Sequence, residues 1–286
     1  MMIDRPSISV VIPAKSEAAT IAGLVEEVRT LLPAVEIIVV SDGSTDATAD
    51  LARNAGAHVV SHPTCLGNGA AIKAGARSAK GDILVFMDAD GQHKPADIPR
   101  LLKELDQGYQ MAVGARNVGS HANLARLAAN GAYNVLASAV TGHRIPDLTS
   151  GFRAVKADLF RKFIYLLPNG FSYPTTITMA LMRAGHAVAF VEIAALKRKS
   201  RSHISPLKDG FRFLIIIFKI ATLYSPLKIF LPVSGLFFVL GVGYYAYTFF
   251  AFSRFTNMSL LLLSISILIF LMGLLSEQVT TVIFRD

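Results

Sequence analysis

Ile83-Leu84-Val85-Phe86-Met87-Asp88-Ala89-Asp90-Gly91-Gln92-His93 is the stretch that decides how this chain is read. Its first five residues are apolar and β-prone, the pattern of a strand buried on both faces, and two carboxylates follow at the carboxyl end. That end is where an open α/β sheet keeps its ligands. Asp-x-Asp-Gly is compatible with an ordinary turn. Two acidic side chains two residues apart can also share one hard divalent cation, which would neutralise a diphosphate.

Upstream, residues 7–12 form a short β-branched run that stops at Pro13, and an amphipathic pattern follows through Ile21, Leu24, Val25, Val28, Leu31 and Leu32. Residues 36–40 read as a second strand, 47–54 as a helix, 57–61 as a short third strand, and an alanine-rich helix runs to Lys80. Downstream, Pro95 starts a helix and residues 111–113 a further strand, after which the alternation breaks down. Strands alternating with helices at this spacing predict a mostly parallel sheet covered on both faces. Asp42 and Arg116 follow strands and so share the sheet edge of Asp88. A carboxylate at position 42 can accept hydrogen bonds from a ribose or a base. Asp46 can cap the next helix or face a ligand. Gly67-x-Gly69, ahead of a helix N-terminus, would let backbone approach a phosphate. Residues 147–153 form a polar turn cluster.

The chain has 286 residues, of which 52% are hydrophobic and 17% charged, with a mean hydropathy of +0.48. Residues 229–252 and 255–276 carry no charge, and each stretch exceeds the roughly 20 residues a membrane-spanning helix needs. No cleavable leader is visible at the N-terminus. A single cysteine, Cys65, fits a reducing compartment. The net charge of +8 is concentrated ahead of the first span, in Lys197, Arg198, Lys199, Arg201, Lys208, Arg212, Lys219 and Lys228. This basic collar predicts an integral inner (cytoplasmic) membrane protein with the catalytic domain and both termini on the cytoplasmic side. In a helix over 207–224, Lys208, Arg212 and Lys219 fall within about 40° of one another, the pattern of an amphipathic helix lying on membrane lipid. The basic residues abut a span and lack interleaved stacking aromatics, which argues against nucleic acid as a partner.

Six motifs occur in order: Val11-Ile12-Pro13-Ala14-x-x-Glu17, Asp42-Gly43-Ser44-Thr45-Asp46, Gly67-x-Gly69, Asp88-Ala89-Asp90-Gly91-Gln92-His93, Gly114-Ala115-Arg116 and Thr149-Ser150-Gly151-Phe152-Arg153. Together they resemble family 2 glycosyltransferases, in particular the dolichol-phosphate mannose synthase-like or polyprenyl-phosphate glycosyltransferase branch. The resemblance implies a Rossmann-like, glycosyltransferase A-type α/β domain over residues 1–206, then an amphipathic juxtamembrane helix (207–228) and a two-helix transmembrane hairpin (229–286). It further implies metal-dependent, inverting transfer of a hexose from a nucleotide-diphosphate sugar (GDP-mannose or a UDP-sugar) to polyprenyl phosphate. On that reading Pro13, Ala14, Glu17, Val40 and Asp42 hold the nucleoside. Gly67, Gly69, Ala89 and Arg198 complete the donor site, and Asp88, Asp90 and Gln92 hold Mg2+ or Mn2+. Arg116 and Arg126 grip the acceptor phosphate through bidentate hydrogen bonds, so the catalytic set is Asp88, Asp90, Arg116 and Arg126.

The chain departs from the family pattern at Lys15-Ser16 and Ser41, near the nucleobase, and at Ser200 and His203, in the segment that carries Arg198. At Pro174 many relatives have an acid. Two other functions fit the residues: a membrane glycosyltransferase with another lipid or a growing glycan as acceptor, and a catalytically silent membrane adaptor. The absence of tryptophan speaks against a polymer synthase, whose interfacial helix carries Gln-x-x-Arg-Trp. A homo-oligomer is compatible with the sequence.

Overall fold

The computed structural model describes residues 6–116, 131, 134–135, 137–138, 141–170, 172–194, 218, 222 and 225–283. Two compact units make up the chain, residues 1–138 with 143–206 and residues 139–142 with 207–286.

The first unit is a seven-stranded sheet among the described residues. Its strands are β1 (Ile8–Ala14), β2 (Glu36–Asp42), β3 (His58–His62), β4 (Ile83–Phe86), β5 (Met111–Arg116), β6 (Arg153–Lys156) and β7 (Val188–Ile193), in the order β3-β2-β1-β4-β6-β5-β7. All neighbours run parallel except β6, which pairs antiparallel with both β4 and β5. The expected mostly parallel α/β sheet is therefore what the chain forms. Helices α1 (Ile21–Leu31), α2 (Thr48–Asn54), α3 (Asn68–Ser78), α4 (Ile98–Asp106), α5 (Ala157–Lys162) and α6 (Tyr173–Arg183) belong to the same unit.

The core follows from the period of the sequence. Ile21, Leu24, Val25 and Val28 sit one turn apart on α1 and are all buried, while β4 buries Ile83, Leu84, Val85 and Phe86 on both faces. β1 continues through Pro13 rather than stopping there. Val11 O accepts from Met87 N at the end of β4, and Pro13, two residues on, shares that side of the strand beyond the last β1–β4 pair, Val11 with Phe86. Its missing N–H therefore removes no ladder bond.

Two strands escaped the sequence reading. β6 has only four residues, and β7 buries only Ala189 and Ile193, so it alternates poorly; neither shows the long apolar run that gave β4 away.

The second unit contains α7 (Leu227–Phe252) and α8 (Asn257–Ile283). Both are long and apolar enough to cross a membrane, with mean hydropathies of 1.8 and 2.6. Ser253, at φ 49°, ends α7. Between the helices Ser234 Oγ donates to Ser266 O at 2.9 Å and Ser266 Oγ donates to Ser234 O at 3.0 Å. Each hydroxyl thus finds its acceptor on the backbone of the facing helix. Glu277 accepts from Leu227 N at 3.2 Å at the start of α7. The amphipathic segment over 207–224 lies outside the described residues apart from positions 218 and 222.

Candidate active site

One edge of the sheet collects the chemistry. β1, β2, β4 and β5 end there, and antiparallel β6 begins there, so residues 147–152 arrive at the same edge from the opposite direction. Loops cross-link it. Thr20 Oγ1 donates to Ala89 O at 2.8 Å, Glu17 N to Thr48 Oγ1 at 2.8 Å, and Ser16 N to Ser44 Oγ at 3.1 Å. Asp46 accepts from Thr48 N at 3.1 Å and from Ala18 N at 3.2 Å. Asp46 thus ties the loop before α1 to the start of α2, whose N-cap position is Ala47 and has no side-chain cap bond.

Asp42, at the tip of β2, is buried. Its carboxylate accepts from His62 Nδ1 and Gly67 N, both at 2.8 Å, from Leu66 N at 2.9 Å and from Cys65 Sγ at 3.3 Å. Burial works to raise its pKa, but these donors, His62 foremost, hold it below the ordinary 3.8. The carboxylate thus organises loop 62–67. Because the folded value lies below the unfolded one, this contribution to stability is full above about pH 4 and is lost as pH falls through the folded value. The thermal midpoint of the wild type should therefore drop more steeply between about pH 4.5 and pH 3 than that of Asp42→Asn, measured by circular dichroism; parallel profiles would exclude this role.

Gly67 and Gly69 do not leave the approach expected for a phosphate. Gly67 N is used by Asp42, Gly69 N donates to Gly170 O at 3.2 Å and Ala70 N to Asn169 O at 3.0 Å. The N-terminus of α3 is thus capped by protein carbonyls, and the glycines are needed because chain 168–170 passes where side chains would stand. Lys73 secures the same chain by donating to Leu167 O at 3.0 Å.

Asp88 and Asp90 project from the end of β4, and neither is fully buried. Asp90 Oδ1 accepts from Gln92 N at 3.1 Å, closing a turn through Gly91 at φ 74°. Asp88 lies against Gly151, where a Cβ would stand 2.8 Å from Oδ2. Beneath both, buried His93 accepts the Asp88 N–H at 3.4 Å through Nδ1 and stacks on Phe152, ring centroids 5.1 Å apart. Burial depresses the His93 pKa and outweighs the nearby carboxylates. No three His, Cys, Asp or Glu side chains among the described residues converge on one point. The donor set that is present, two carboxylates with a neighbouring amide, all oxygen ligands, fits Mg2+ or Mn2+ that draws its other ligands from a diphosphate and water.

Arg116 ends β5 and reaches this cluster already partnered. Nε donates to Asp147 Oδ2 at 2.7 Å, Nη2 to Asp147 Oδ1 at 3.1 Å and to Thr149 Oγ1 at 2.6 Å. Burial of the guanidinium is outweighed by Asp147, with Asp88 and Asp90 contributing at longer range, so its pKa rises. Burial would raise the Asp147 pKa, but Arg116 holds it below the ordinary range. This geometry corrects the expected two-pronged grip of Arg116 on a phosphate. The side-on fork is spent on Asp147, and Nη1 is the nitrogen with no partner among the described residues. The sequence showed Asp147 only as part of a polar turn.

Arg153 is fully buried behind the site. It donates to Pro174 O at 2.9 Å, to Thr178 Oγ1 at 3.2 Å and to Ser150 O, while Nε has no partner among the described residues. Its role is to hold loop 150–152 against α6. Pro13, Ala14, Glu17 and Val40 lie on β1, β2 and the loop between β1 and α1, on the same edge. Arg126 and Arg198, with Ser200 and His203, fall outside the described residues.

A family model described as glycosyl transferase family 2 matches residues 9–164, and one described as the GtrB C-terminal hairpin matches residues 225–282. Polyprenol monophosphomannose synthase of Mycolicibacterium smegmatis is 31% identical over 205 residues, 66% of this chain and 77% of that protein. Undecaprenyl-phosphate mannosyltransferase of Micrococcus luteus is 30% identical over 203 residues, 66% of this chain and 83% of that protein. Glucosyl-3-phosphoglycerate synthase from Mycobacterium tuberculosis, solved with Mn2+, UDP and glucosyl-3-phosphoglycerate, superposes with a TM-score of 0.61 at 25% identity over 76% of this chain and 80% of that one.

Proposed function

Because the chain belongs to glycosyl transferase family 2, we propose that it moves a hexose from a nucleoside-diphosphate sugar to a polyprenyl phosphate at a membrane. The observation that carries this reading is the gathering of Asp88, Asp90 and Arg116 at one sheet edge, in a chain whose helices α7 and α8 suit a bilayer. The names of the two mannosyl-transferring relatives support the acceptor class.

In this mechanism Asp88 and Asp90, with Gln92, would hold Mg2+ or Mn2+, whose charge would offset the negative charge of a nucleoside diphosphate. Loop 15–20 and loop 43–48, tied together through Thr48 and Asp46, form a fixed wall for the nucleoside. Pro13, Ala14, Glu17, Val40 and Asp42 are the residues assigned to it, Asp42 acting through the loop it organises. Arg116 meets the acceptor. A phosphate monoester is ionised at neutral pH and needs no strong base; its difficulty is approaching another anion, and the Nη1 edge of Arg116 offsets that repulsion. Attack on the anomeric carbon opposite the leaving group inverts the centre. Arg126 and Arg198 are assigned to the acceptor and donor phosphates. The basic residues of the sequence ahead of α7 support an orientation with the site and both termini on the cytoplasmic side.

The test is a donor screen in detergent. Protein with Mg2+ or Mn2+ is given GDP-mannose or a UDP-hexose together with undecaprenyl phosphate or 3-phosphoglycerate, and products are weighed by mass spectrometry. Undecaprenyl phosphate heavier by one hexosyl residue, with no added phosphate, is expected. Product on phosphoglycerate alone, or on neither acceptor, would overturn the proposal.

A further inference from the structure

Arg116 is held by more partners than a surface arginine needs, and the pattern of those partners carries information. Asp147, with 9% of its side chain exposed, takes the Nε and Nη2 edge of the guanidinium. It also accepts from Arg116 N at 3.2 Å and from Thr149 N at 3.0 Å. Thr149 Oγ1 takes the second Nη2 hydrogen. Four contacts therefore fix both the backbone and the head of one arginine, and among the described residues they leave the two Nη1 hydrogens as the directed donors.

From this geometry we infer that Asp147 is the positioning residue for the acceptor phosphate: it aims Arg116 so that the phosphate is met end-on by Nη1, with Thr149 completing the clamp. The inference rests on the acceptor reading given above. Asp88 and Asp90 also attract Arg116 electrostatically. A long cation beside two carboxylates swings toward them unless something nearer holds it, and Asp147 does so with a two-point ion pair, the geometry that best fixes a guanidinium plane. An arginine already fixed gives up little side-chain freedom when the phosphate arrives. Asp147 thus serves the reaction without touching a reactant, and its charge is committed to Arg116 rather than available as a proton acceptor.

The test is a double-mutant cycle on the full-length protein in detergent. Asp147→Asn should raise the acceptor KM and lower kcat/KM for the acceptor by about 50-fold, with the Kd for the nucleoside diphosphate in Mn2+ unchanged. Asp147→Asn combined with Arg116→Ala should lose no more than Arg116→Ala alone. Losses that multiply would overturn the inference, because Asp147 would then act on the reactants independently. Thr149→Val removes only one Nη2 partner and serves if Asp147→Asn does not fold; it should raise the acceptor KM by about fivefold, and an unchanged KM would overturn the inference. A readout free of turnover is the Arg116 Nε–H resonance of 15N-arginine-labelled protein, protected from exchange in the wild type and lost in Asp147→Asn. A protected signal in a wild type that makes no lipid-linked product would refute the acceptor reading while the clamp stood; an exposed signal would refute the clamp itself.

Discussion

Asp90→Ala should lower sugar transfer by about 10^3-fold or more while leaving the fold unchanged. Asp90 is only partly buried, and it closes a local turn by accepting from Gln92 N. The sheet beneath does not depend on it, since β4 is held by β1 and β6. The lost carboxylate would instead be felt where charge grows on the leaving diphosphate. The measurement is product formation at saturating Mn2+ beside the circular dichroism melt of the same sample. Turnover within tenfold of wild type would remove Asp90 from the metal-holding pair.

Gly69→Ala is the change expected to damage the fold most. A Cβ at position 69 would collide with the carbonyl oxygen of Pro168 and stand 2.9 Å from that of Gly170. Every obstacle is backbone, so no side chain can turn aside. Chain 168–170 would have to move, breaking the Gly69–Gly170 and Ala70–Asn169 hydrogen bonds and the purchase of Lys73 on Leu167. Overpacking of this kind costs about 3 kcal/mol. The thermal midpoint followed by circular dichroism should fall by several degrees, and a midpoint equal to wild type would refute the packing argument. Nucleotide-diphosphate affinity should fall only as far as folding does, whereas a glycine that cradled phosphate would lose affinity in a protein of normal stability.

The elements legible in the sequence were those with a strong local period. β4 showed itself as an unbroken apolar run and α1 as a 3.6-residue repeat, and together with the strand tips they placed Asp42, Asp88, Asp90 and Arg116 on one edge. Partnership was not legible. Arg116 and Asp147 stand 31 positions apart, and nothing in either neighbourhood announces that an antiparallel strand will bring them together. Gly67-x-Gly69 misled for a related reason: glycine reports close approach of something, and the sequence does not say whether that something is a phosphate or the protein's own chain. Arg153 looked like one more polar loop residue, yet it begins β6 and is wholly buried.

The reversed strand β6 also sets a timetable for synthesis. Ile83 to Phe86 find their second neighbour in Arg153 to Lys156, which leave the ribosome roughly 70 residues later, a wait of roughly 3–14 s at ordinary elongation rates. Throughout that interval one edge of this apolar strand has no partner, an invitation to mispairing. The catalytic rim is consequently among the last parts of the domain to be assembled, and a slow codon run just before position 153 would lengthen its exposure.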